Sequence, residues 1–186
     1  MKKLMIALAA VAMAATSQAA LYNWKAVAGY VYDAGQATTK ADGTAYLFNA
    51  GTVSQQALLT AILGGTDISS LSYVSTGAMS GGRVQPTADF TYNGVAGGST
   101  WDAYMAVVKG DAVYISALKT GIVAPADQSA TAIAISSNTT ASQAALKTSD
   151  TFSGAGWYAA TPAPEPTSGL LLLLGVAGLA LRRKRA

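Results

Sequence analysis

Two uninterrupted apolar runs, one near each end of the chain, bracket a region where apolar and polar positions alternate over short stretches. The first run, Leu4 to Ala15, is preceded by Met1-Lys2-Lys3 and followed by Ser17-Gln18-Ala19. A basic start, an apolar middle and a small-residue exit predict a signal peptide over residues 1–19, cut by signal peptidase between Ala19 and Ala20. The second run, Gly169 to Leu181, has no charge and ends on Arg182-Arg183-Lys184-Arg185. At about 1.5 Å per residue the run covers about 20 Å. Thr167, Ser168 and snorkelling arginine stems extend it to a minimal single transmembrane helix, about 167–181. The basic residues 182–185 act as a membrane stop signal and hold that end in the cytoplasm, so the preceding domain faces outward.

Between the runs the alternation predicts strands. Tyr22 to Tyr32 places Trp24, Ala26, Ala28 and Tyr30 on one face, and Ala45 to Asn49 forms a second short strand after the turn-rich Asp33 to Gly43. Ser54 caps a helix carrying Ala57, Leu58, Ala61 and Ile62 on one side, which Gly64-Gly65 ends. Gly77 to Gly82 reads as loop, and Arg83 to Tyr92 as an edge strand because Pro86 lies within it. Trp101 to Lys109 and Ala112 to Leu118 flank Gly110-Asp111 as a hairpin. Ala130 to Ser136 is a further strand, Asn138 to Lys147 a short helix, and Thr151 to Ala160 the last strand. Six or seven short strands with one or two short helices predict a mainly β fold, an antiparallel sandwich or jelly-roll-like domain over residues 20–160. Residues 161–186 form a linker, the membrane helix and the basic tail.

Charge changes the picture once it is divided along the chain. The net charge of +3 comes from 12 Lys and Arg against 9 Asp and Glu, but half of the basic residues lie in the two terminal segments. Between Ala20 and Ala163, six basic residues face eight acidic ones, so the central region is mildly acidic. It has no basic stripe for nucleic acid, and nucleic acid is not an expected partner.

The chain has no Cys and no His. Disulfides, thiolate nucleophiles, His-based triads and the usual zinc sites are therefore excluded, and no cofactor or metal is expected. An outward-facing domain without disulfides depends on its hydrophobic core alone.

Other catalytic chemistry is thinly represented. Glycoside hydrolysis needs two carboxylates, and the one Glu of the chain is Glu165, which leaves aspartates such as Asp33, Asp42, Asp102 and Asp111. These read first as turn residues. Ser116 and Lys119 have the spacing of a Ser-Lys pair without a surrounding motif, and Asp33 and Asp42 offer oxygen ligands to calcium without the loop pattern that binds it. The glycines of Ile62 to Asp67 lack the lysine that ends a phosphate loop. The expectation is a non-enzymatic domain. Trp24, Trp101 and Trp157 read first as core fillers and second as faces that stack on sugar rings.

Pro164 and Pro166 flank Glu165 and keep the segment before the second apolar run extended. Pro-Glu-Pro, then Thr-Ser-Gly, a Leu-rich stretch with interspersed glycines and an Arg-rich end closely resemble the PEP-CTERM sorting signal of bacterial envelope proteins. The resemblance covers Pro164 to Ala186, and the family's tripeptide falls on Pro164, Glu165 and Pro166. It implies recognition by a membrane-embedded exosortase, a cysteine transpeptidase-like enzyme. It further implies anchoring in the inner membrane before processing, export to the cell surface and association with exopolysaccharide or biofilm matrix. Ala163 stands where the family often has Val, which bears on how efficiently the tail is processed. The domain before the tail is expected to be structural or adhesive, with a carbohydrate-binding module as the alternative and a hydrolase behind both.

Overall fold

The computed structural model describes residues 20–126, 129–138 and 144–159. The segments expected to form a signal peptide and a tail with a membrane helix lie outside the described residues, as does most of the helix expected from Asn138. Among the described residues no helix is long and apolar enough to cross a membrane.

The described chain is mainly β. In order it forms β1 (Ala20–Tyr30), β2 (Gly43–Asn49), α1 (Gln55–Leu63), a 3-10 turn (Ile68–Ser70), β3 (Ser75–Ser80), β4 (Arg83–Val84), β5 (Phe90–Tyr92), β6 (Thr100–Lys109), β7 (Ala112–Ile115), β8 (Lys119–Val123), β9 (Ala130–Asn138), β10 (Leu146–Lys147) and β11 (Gly156–Ala159). Hydrogen bonding links these strands in the order β10-β11-β7-β6-β2-β3-β4-β1-β5, with β8 also on β6 and β9 also on β1.

The sheet is mixed, which corrects the antiparallel expectation. β9 runs parallel to β1 along most of its length, from Leu21 opposite Ala130 to Tyr30 opposite Asn138, and β10 runs parallel to β11. More than 100 residues separate β1 from β9, and no local signal carries a pairing at that distance.

Two clusters of buried side chains explain why so many strand positions are apolar on both faces. In β6, Trp101, Ala103, Met105 and Val107 point into one cluster, while Tyr104 and Ala106 point into the other. The same alternation divides Ala112 and Tyr114 from Val113 and Ile115 in β7, and Trp157 from Tyr158 in β11. The larger cluster lies where the sheet folds over, so that Tyr22, Trp24 and Ile133 from β1 and β9 meet Trp101, Met105 and Trp157. The smaller is covered by α1, whose Leu58 and Leu59 are buried against Phe48, Tyr104 and Tyr158. Ser54 caps α1 by accepting from the Ala57 N–H at 3.1 Å, and the Gly64 N–H closes its far end on Thr60 O. Such a cap contributes about 1 kcal/mol.

Two glycines permit close approaches that shape the sheet. A Cβ at Gly77 in β3 would stand 2.6 Å from Val84 Cγ1 and 3.0 Å from the Trp24 ring, so only a glycine lets β3 lie against that indole. Gly82 turns β3 into β4 at φ +74°, and a Cβ there would meet the Val31 carbonyl at 2.4 Å. Farther along, β6 bulges between Trp101 and Ala103 opposite β8, where Asp102 Oδ1 accepts from the Gly121 N–H at 2.9 Å.

Candidate functional site

The chain leaves the described fold at Ala159, and only four residues stand between it and Pro164. β11 is held firmly at that exit. It pairs antiparallel with β7, with Ala159 opposite Ala112 beside the β6–β7 hairpin. The Trp157 indole N–H donates to the Tyr32 carbonyl at 2.6 Å, and Lys147 Nζ donates to the Gly154 carbonyl at 2.9 Å and to Tyr158 Oη at 3.2 Å. Five residues, even fully extended, reach about 18 Å. Pro164, Glu165 and Pro166 lie outside the described residues, as do Ala19 and the basic run Arg182, Arg183, Lys184 and Arg185.

Around the exit stands a group of side chains that sequence reasoning did not bring together. Lys40 Nζ lies 3.8 Å and Arg83 Cζ 3.9 Å from the centroid of the Tyr30 ring, and Tyr32 packs at 6.3 Å from the same ring. Arg83 Nε also donates to the Gly29 carbonyl at 3.1 Å. Beside them Lys109 pairs with Asp33 at 2.5 Å. These positions are spread over nearly eighty residues, on three strands and the segment between β1 and β2, and no local pattern joins them.

The sugar-stacking expectation for the tryptophans is corrected by their burial. Trp24 and Trp157 are 0% exposed and Trp101 5%, so none offers a ring face to a glycan. They hold the larger cluster together instead: Tyr22 meets Trp101 edge to face at 5.6 Å, and Tyr114 packs on Trp157 at 5.6 Å. Tyr22 Oη and the indole nitrogens of Trp24 and Trp101 are buried without a hydrogen-bond partner among the described residues. Burial pushes the Tyr22, Tyr104 and Tyr114 hydroxyls above the usual tyrosine range, so these phenols stay neutral.

The other candidates from the sequence fall into structural positions. Ser116 is fully buried, and its Oγ accepts from the Met105 N–H and donates to the Ala117 carbonyl, while Lys119 is exposed. Asp33 is taken by Lys109 and Asp42 by the Gly81 N–H. Among the described residues no three Asp or Glu side chains come together in a way that would hold a metal ion.

Two clefts open on the surface. One, about 570 Å³, lies at the end opposite the exit and is lined by Asn49, Thr52, Ser99, Trp101 and Asp102 among others. The second, about 480 Å³, lies beside α1 and brings Asp67 and Asp111 to its wall. Asp67 accepts from the Ser69 N–H and Oγ–H, which hold its carboxyl below the usual range. That is the reverse of what a proton donor in glycoside hydrolysis requires.

The class this defines is a mainly β domain whose last described strand is followed in sequence by a C-terminal tail. That tail, residues 162–185, matches the PEP-CTERM protein-sorting motif. The match covers the tail only and leaves the β domain outside it. No curated protein and no solved structure matches the chain.

Proposed function

We propose that the protein is exported, anchored in the membrane by its C-terminal helix and cut by an exosortase at the Pro164-Glu165-Pro166 region, leaving the β domain at the cell surface as a non-enzymatic structural or adhesive unit. The match over residues 162–185 carries this reading. The domain's contribution is support of the tail: β11 ends in a hydrogen-bonded frame with only four residues between it and Pro164, a short leash for the tripeptide. The absence of Cys and His and the hydrogen-bonded Asp67 support a domain without catalysis. Of the sugar partner that the family resemblance implies, the buried tryptophans carry nothing.

Intact-mass measurement of protein recovered from the cell surface tests the reading. Loss of residues 1–19 and of the stretch after the Pro-Glu-Pro region is expected, and a mature pool that keeps its full C-terminus refutes it.

A further inference from the structure

Two like charges drawn up to one aromatic ring need an explanation. Lys40 Nζ and Arg83 Cζ lie 3.8 and 3.9 Å from the Tyr30 centroid, hence within about 8 Å of each other. Neither meets a carboxylate, since the sole ion pair among the described residues is Lys109 with Asp33. Asp42, two residues from Lys40, is engaged instead by the Gly81 N–H, and Asp111 sits at the tip of the β6–β7 hairpin. The ring holds both cations in place, because a cation over a tyrosine face gains about 0.5–1 kcal/mol at an exposed site. An anionic surface brought against this ring would meet both cations at once and offset their unpaired charge.

Position says which anion arrives there. Tyr30 and Arg83 stand at the end where the chain leaves β11, tied to it through the Trp157–Tyr32 hydrogen bond. From Ala159 to Thr167, where the expected membrane helix starts, eight residues reach at most about 28 Å. Whatever its orientation, the exit end is confined to the neighbourhood of the bilayer. Tethering of this kind gives an effective concentration in the millimolar range, so a weak attraction suffices to orient the domain. Tyrosine and basic side chains are also the residue types that settle at membrane interfaces.

We infer that the Tyr30–Lys40–Arg83 cluster docks the exit end of the domain on the phosphate groups of an anionic bilayer surface while the tail is still anchored. This rests on the anchoring proposed above. Docking turns the opposite end, with its 570 Å³ cleft, away from the membrane. It also fixes the side from which the tripeptide is approached.

The experiment reconstitutes the full chain into vesicles of phosphatidylcholine alone and into vesicles rich in phosphatidylglycerol, with flotation recorded for both. The labelling rate of Lys40 by an amine-reactive reagent is then read by mass spectrometry against Lys119. Lys40 should label about fivefold more slowly in the anionic vesicles, the effect of one basic residue held at such a surface. Arg83→Gln should reduce that protection. Equal labelling of floated protein in both lipids overturns the docking and leaves anchoring intact, whereas a chain that floats with neither overturns both. Protection that ignores lipid charge and disappears in Glu165→Gln would mean that the chain's own tripeptide occupies the pair, and overturns docking on lipid.

Discussion

The indole of Trp157 and the carbonyl of Tyr32, 125 residues apart, are joined by a 2.6 Å hydrogen bond that ties the last described strand to the end of the first. Trp157→Phe keeps a ring against Tyr114 but removes the donor and part of the indole's buried volume. It should lower the unfolding free energy by about 1–2 kcal/mol, whereas Trp157→Ala opens a larger cavity and should lower it by about 3–5 kcal/mol. Urea titration of the processed protein, followed by far-ultraviolet circular dichroism, separates the two. Equal losses for both variants would mean that the ring retained against Tyr114 contributes nothing.

Ser116 stands where the strand paired to β6 breaks between β7 and β8, and its hydroxyl replaces a backbone acceptor for the Met105 N–H at 2.8 Å. Ser116→Ala leaves that N–H buried without a partner and should cost about 1–3 kcal/mol. Ser80→Ala, on an exposed position, should stay within about 0.5 kcal/mol. A Ser116→Ala protein as stable as the parent in the same titration would show that the bulge relaxes onto another acceptor.

Alkaline pH should unfold the domain through its buried phenols. Burial raises the Tyr104 and Tyr114 hydroxyls well above the ordinary tyrosine range. The folded state therefore keeps its protons where the unfolded chain has already lost them. Stability is fully present below about pH 10 and falls as pH rises past it, by about 1.4 kcal/mol per pH unit for each phenol. Denaturation midpoints between pH 8 and 12 check this. Tyr104→Phe should flatten the slope by one group's share while giving up the hydrogen bond to the Val53 carbonyl.

Local features of the fold were readable from the chain. Gly110-Asp111 between apolar runs marks the β6–β7 hairpin, and Ser54 with Gly64 brackets α1, because turn and cap chemistry act over a few residues. The strand expected over Arg83 to Tyr92 divides into β4 and β5, as Pro86 between them removes a backbone donor. β3 lies largely where a loop was expected, because Ser-Thr-Gly-Ala-Met-Ser offers no β-branched alternation and Gly77 is there to make room for Trp24. Leu146–Lys147 is strand where the tail of a helix was expected, since its partner is β11 and lies outside any local window. Alternation assigns Trp24 to a face but does not say whether that face is covered. The tail was legible because its signal is contiguous, whereas the Tyr30, Lys40 and Arg83 group is assembled only by folding.

The parallel pairing of β1 with β9 also sets an order of events in time. A chain that emerges across a membrane from its N-terminus delivers β1 first and its longest partner more than 100 residues later. Contacts this distant in sequence form slowly, because their loop-closure entropy is spent before they return anything. β1, the strand on which β4, β5 and β9 all converge, therefore lacks its longest partner through most of translocation. Ala20, which ends 2% exposed and paired with Tyr92, is thus covered late, and the cut expected before it falls ahead of that covering.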